Sequence, residues 1–164
     1  MNAKMKKSLL LATAWSILTT VSPAHSASVE ESRGQSSSRT ITVYRSPSCG
    51  CCGAWMNHLR QSGFEVVENQ SDDMKTIKQR HQIPQNLRSC HTATIDGYVI
   101  EGHVPAREIQ RLLRERPKVA GLAVPGMPSG SPGMEMGNRK EPFSVLRFTS
   151  MGETGVYQNY PPLQ

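Results

Sequence analysis

Three of the chain's four cysteines fall within four positions, Cys49, Cys51 and Cys52 in "RSPSCGCCGAW" (residues 45–55), and the fourth is Cys90. Thiols packed this closely suit two chemistries. A nucleophilic thiolate attacks a disulfide, and a deprotonated sulfur binds a soft metal ion. Cys49-x-x-Cys52 alone serves either one. Cys51 has no part in a two-thiol exchange and so favours a thiophilic ion; the alternative is a small buried hydrophobe. A disulfide inside residues 49–52 closes too small a loop to staple a fold, so these cysteines are read as chemical. Four cysteines also match structural zinc, but this cluster lies at a turn and not between loops that need stapling.

The surrounding elements must bring these groups together. "TITVYRS" (40–46) is β-branched and aromatic, hence a strand, ended by Pro47 and Gly50. From Gly53, "AWMNHLRQSG" is a short helix with Trp55 and Leu59 on one face and Gly63 as its stop. The cysteines therefore lie on a strand-to-helix turn, where helix N–H groups stabilise a thiolate. On a regular helix Cys51 points about 100° from Cys52, so a shared site asks for an irregular turn, which Gly50 and Gly53 permit. "FEVVEN" (64–69) is a strand and "SDDMKTIKQRHQ" (71–82) a helix with Met74, Ile77 and Lys78 at helical spacing. "HTATIDGYVIEGH" (91–103) is a hairpin about Asp96-Gly97, and "PAREIQRLLRER" (105–116) a helix with Ile109, Leu112 and Leu113 on one stripe.

The order β-α-β-α-β-β-α is that of an α/β, thioredoxin-like fold. A Gly/Pro/Met-rich loop (118–141) follows, then two short extra strands at 143–148 and 155–160. In such folds the loop before the hairpin faces the cysteine turn, so Cys90 should meet the other three. Many redox members carry a proline beside their thiols there. The proline before Cys90 is Pro84, and "RSCHTA" supplies a thiol and an imidazole instead, which weakens the plain oxidoreductase reading. His91 therefore enters the candidate ligand set and His103, at the hairpin's other end, does not; a satisfied core histidine is the alternative for both. His58 and His81 are read as surface residues. Among the loop methionines Met127, Met134 and Met136, thioether sulfur favours Cu(I), with gap-filling as the alternative, and Met127 joins the candidate set.

Residues 1–26 read as a secretory signal peptide: Lys4, Lys6 and Lys7, an apolar core over 8–21 shorter than the roughly 20 residues of a membrane span, and a small-residue end "SPAHSA". An uncleaved anchor lacks such an end. Residues 27–39 are a serine-rich flexible linker and 40–164 the domain. The leader's three lysines are matched by no acid within 1–26, so its removal lowers the formal charge from +6 to +3. That is no nucleic-acid footprint, and Arg107, Arg111, Arg114 and Arg116 read as a solvated helix face.

"VYRSPSCGCCGAWMNHL", "IPQNLRSCHTATIDGYVIEGHVPAREIQRLLRERP" and "GLAVPGMPSGSPGME" together resemble the small exported bacterial proteins found with copper-resistance genes, the CopG-like proteins, described as a metal-binding domain of unknown function with a CxCC motif. The resemblance covers roughly residues 41–160. It implies a thioredoxin-like fold, residence in the periplasm, and copper held by Cys49, Cys51, Cys52 and Cys90. The expected function is copper binding, as Cu(I), for resistance or homeostasis, with a thiol-disulfide or copper-linked oxidoreductase using Cys49-x-x-Cys52 as the alternative; whether the chain is an enzyme stays open. The expected partners are the metal ion and other periplasmic copper-handling or efflux proteins, with no nucleic acid and no membrane insertion after leader removal.

Overall fold

The computed structural model describes residues 39–135, 137 and 140–162. The expected leader, the linker up to residue 38 and Met136 lie outside the described residues.

The chain builds a mixed α/β fold. In order it forms β1 (Arg39–Arg45), α1 (Gly50–Gln61), β2 (Phe64–Gln70), α2 (Met74–Arg80), a 3-10 turn (Gln85–Leu87), β3 (His91–Ile95), β4 (Tyr98–Glu101), α3 (Ala106–Glu115), β5 (Gly121–Ala123), β6 (Phe143–Phe148) and β7 (Thr154–Tyr160). One seven-stranded sheet has the order β2-β1-β3-β4-β5-β6-β7. β1 pairs with β2, and β4 with β5, in parallel. The other neighbours are antiparallel. Each expected element of residues 40–116 is present. Asp73 caps α2, its carboxylate accepting from the Thr76 amide at 3.0 Å. Asp96 (φ 48°) and Gly97 (φ 84°) both turn left-handed at the β3–β4 hairpin, as a two-residue turn of this kind demands.

Besides shifts of one to three residues at several element ends, two differences from expectation matter. α1 begins at Gly50 rather than after Gly53, because Cys49 takes the extended N-cap conformation and its amide closes a turn onto the Ser46 carbonyl at 3.1 Å. The C-terminal region adds three strands, not two: β5 arises from "GLA", inside the stretch read as loop. Three residues without a β-branched side chain carry little strand signal. Gly121 is nonetheless required there, since a Cβ would sit 1.8 Å from the Val99 carbonyl oxygen on the adjacent β4.

The main core joins Trp55, Met56 and Leu59 of α1 and Ile109, Leu112 and Leu113 of α3 to Ile41, Val43, Ala93, Ile95, Ile100 and Leu122 of the sheet. β4 is buried along its whole length, which explains its unbroken apolar start "YVI". A second cluster gathers Ile83, Leu87, Val99, Ala123 and Phe148. The arginine face of α3 is not simply solvated. Arg111 donates to the Tyr157 carbonyl at 2.8 Å and lies over that ring, and Arg107 donates to the Tyr160 hydroxyl at 2.7 Å, so these side chains pin β7 onto the helix. Among the described residues no helix is long and apolar enough to cross a membrane.

Because Leu112 is fully buried between α3 and the sheet, Leu112→Ala is expected to cost about 2–5 kcal/mol in urea denaturation; a loss under about 1 kcal/mol would contradict this packing.

Candidate metal centre

The strand-to-helix turn is held from below by Arg45, whose Nη1 donates to the carbonyls of Ser46 (3.0 Å) and Pro47 (3.3 Å) and whose Nε donates to Glu68 at 2.8 Å. Cys49, at the N-cap, and Cys52, three positions on, stand on one side of the first helical turn with Cα atoms 5.6 Å apart, within disulfide reach. They form a disulfide; Cys51 and Cys90 are free and half-buried. The expected irregular turn is absent. The helix that starts at Gly50 still keeps Cys51 Sγ within 4.8 Å of the Cys52 sulfur while it meets Cys90 from another loop.

Cys51 Sγ lies 3.8 Å from Cys49 Sγ, 3.9 Å from Cys90 Sγ and 3.9 Å from Met127 Sδ. Cys90 Sγ in turn lies 3.2 Å from His91 Nδ1 and 3.2 Å from His103 Nε2. Two overlapping groups result: Cys49, Cys51, Cys52 and Cys90, and Cys90, His91 and His103, each with ligand atoms within 4.8 Å of one another. Cys90 belongs to both.

The protonation states suit ligation. His103 Nδ1 is 2.8 Å from the Pro132 carbonyl; a carbonyl only accepts, so Nδ1 carries the proton and the Nε2 lone pair faces Cys90. His91 is fully buried beneath Trp55, ring centroids 4.2 Å apart, and its Nε2 has no hydrogen-bond partner. Burial lowers the pKa of both histidines, for His91 with help from His103, which keeps both imidazoles neutral. Burial, seconded by Cys51, pushes the Cys90 thiol up to about 12. Without a metal this sulfur keeps its proton, and a metal ion has to displace it.

All six residues of the candidate set, Cys49, Cys51, Cys52, Cys90, His91 and Met127, therefore come together. His103 belongs with them and was outside the set. Its signal lay in the hairpin register: a two-residue turn at Asp96-Gly97 pairs Thr92 with Glu101, which carries His103 back beside His91, rings 4.9 Å apart. Met134 is half-buried in the same loop. That loop packs against α1 because Gly133 (φ +83°) passes so near the Trp55 amide that a Cβ would lie 2.6 Å from it, and the neighbouring Pro132 thereby reaches His103. His58 is not a plain surface residue: it is half-buried, and its Nε2 accepts from the Ala106 amide at 3.0 Å, at the start of α3.

Beneath the site lies a buried ion pair that sequence reading missed. Lys78 Nζ lies 2.6 Å from Glu101 Oε1 and 3.0 Å from Thr92 Oγ1, and Thr92 Oγ1 donates to Glu101 Oε2 at 2.7 Å. Lys78 is 6% exposed and Glu101 not at all. Helical spacing put Lys78 on the inward stripe, but its partner stands on a strand 23 residues away, a distance no local pattern spans.

A protein-family model described as "Protein of unknown function, DUF411" matches residues 87–134. No curated protein matches the chain. Two solved structures do. One, titled "Copper resistance protein copG- Form 2", is 46% identical, covers 75% of this chain and 98% of its own, and superposes with a TM-score of 0.72. The other, "Copper resistance protein copG- Form 1", is 47% identical with the same coverages and TM-score.

Alkylation of the chain unfolded without reductant should modify Cys51 and Cys90 and spare Cys49 and Cys52, with all four labelled after reduction. Peptide mapping that finds four labels before reduction contradicts the pairing.

Proposed function

The chain belongs to the family of the copper resistance protein CopG, and from that premise we propose that it is an exported copper-binding protein that holds Cu(I) in a cysteine-thiolate cluster for copper resistance or homeostasis. One observation carries this reading: four cysteine sulfurs lie within 4.8 Å of one another, drawn from a helix start and a distant loop. Soft thiolate and thioether ligands suit Cu(I), zinc and iron–sulfur clusters. Met127 adds a thioether at the exposed side of the cluster, which a closed zinc site would not use. Cys49, Cys51, Cys52 and Cys90 are the primary ligands, with His91 and Met127 beside them and His103 as an addition. Full engagement requires the Cys49–Cys52 disulfide to be reduced, since its sulfurs are otherwise withdrawn from binding.

The fold is read as thioredoxin-like, supported by the element order of residues 39–115 and by the strand order β2-β1-β3-β4 with β1 and β2 parallel. Residues 1–26 are read as the signal peptide, 27–39 as the linker, whose last residue, Arg39, already opens β1, and 40–164 as the domain. The protein resides in the periplasm and exchanges copper with other copper-handling or efflux proteins there. A second reading, a thiol-disulfide or copper-linked oxidoreductase, is favoured by the disulfide at the start of α1, the position where a thiolate is most stabilised.

Anaerobic titration of the fully reduced chain with Cu(I) against a competing chelator separates the two. Cys51→Ser and Cys90→Ser should each weaken binding by at least the roughly 10–100-fold that loss of an outer-shell partner costs. Unchanged affinity in both variants, together with a reversible Cys49–Cys52 disulfide that reduces a protein substrate, would favour the oxidoreductase instead.

A further inference from the structure

Three loops meet beside Cys90, and one small side chain joins them. The Ser89 amide donates to Glu101 Oε1 at 2.6 Å, the same buried oxygen that pairs with Lys78. The Ser89 hydroxyl donates to the Gly126 carbonyl, immediately before Met127. Gly102, immediately before His103, has φ +72°, and a Cβ there would lie 2.6 Å from the Val124 carbonyl oxygen and 2.7 Å from Ser89 Cβ. Only a glycine lets the three segments approach this closely.

The buried carboxylate of Glu101 has both oxygens engaged: Oε1 by Lys78 and Ser89, Oε2 by Thr92. A group so bound has little freedom to move, and the backbone at Ser89 inherits that rigidity. From this anchor Cys90 is fixed through its chain bond to Ser89, whereas the segment of Met127 is tied down by the Val124 amide, which donates to the Glu101 carbonyl at 3.0 Å, and, next to Met127 itself, by the Ser89 hydroxyl. Met127 is itself 53% exposed, so packing does little to hold it against Cys51.

We infer that Ser89 is a positioning residue of the copper site, coupling the loop that carries Met127 to the loop that carries Cys90 through the buried Lys78–Glu101 pair. The inference rests on the copper-binding reading and adds to it the cause of the thioether's placement. The hydroxyl also lies 3.8 Å from Cys90 Sγ, but Cys90 keeps its chain bond to the anchored Ser89 backbone, so loss of the hydroxyl acts chiefly on Met127.

A double-mutant cycle on the full reduced chain tests this, with Cu(I) affinity measured for wild type, Ser89→Ala, Met127→Leu and the double variant. Met127→Leu keeps the volume and removes the sulfur. Each single change is expected to weaken binding by about 10-fold, and the double variant by no more than the stronger single. X-ray absorption should show the same loss of one sulfur neighbour in Ser89→Ala as in Met127→Leu. A purely structural Ser89 would multiply the losses to about 100-fold in the double variant, the product of two 10-fold effects. Multiplied losses, or wild-type affinity in either single variant, overturn the inference while the copper reading stands. A wild-type chain that binds no Cu(I) overturns both.

Discussion

The site depends on one strand pairing. β3 runs antiparallel beside β1 with His91 opposite Arg45, so the residue before β3, Cys90, stands beside the turn that follows β1. A one-residue slip would send every side chain of β3 to the other face and carry Cys90 away from Cys51. The register is secured at both ends. The tight Asp96-Gly97 turn sets where β3 starts relative to β4, and Ala93 and Ile95 are buried in the core together with Ile41 and Val43 of β1.

Once that pairing is made, burial decides the chemistry. Trp55 covers His91, and the loop through Pro132 and Gly133 folds onto α1 and reaches His103. Low solvent access keeps both imidazoles neutral and the Cys90 thiol protonated. The pocket is therefore built of uncharged donors, and metal capture is coupled to proton release. Nearby, the Lys78–Glu101 pair brings two opposite charges into the interior at a desolvation cost. Its position against Ser89 and Thr92 makes that cost intelligible as the means of holding the Cys90 loop.

Much of this was legible in the residues, and the limits of legibility have physical reasons. The cysteine spacing, the Asp-Gly turn and the helix stripes are local signals, and they located the first strands, the helices and the meeting of Cys90 with the CxCC turn. β5 escaped because its three residues owe their strand character to pairing with β4, a nonlocal cause. His103 carries no local signal, because a histidine past the end of a hairpin means little until the register is counted. Helical spacing turns Lys78 inward, but nothing local marks Glu101 as its partner, and only their mutual distance reveals a buried pair. No irregular turn is needed at Cys51, since the helix that starts at Gly50 already leaves its sulfur 3.9 Å from that of Cys90.

The central claim is that all four thiols and their neighbours act as one metal site. X-ray absorption at the copper edge on the reduced, Cu(I)-loaded chain tests it most directly. Copper held by the cluster should show nearest neighbours dominated by sulfur, with sulfur lost in Cys90→Ser. A shell of nitrogen and oxygen, or a spectrum unchanged by Cys90→Ser, would contradict it.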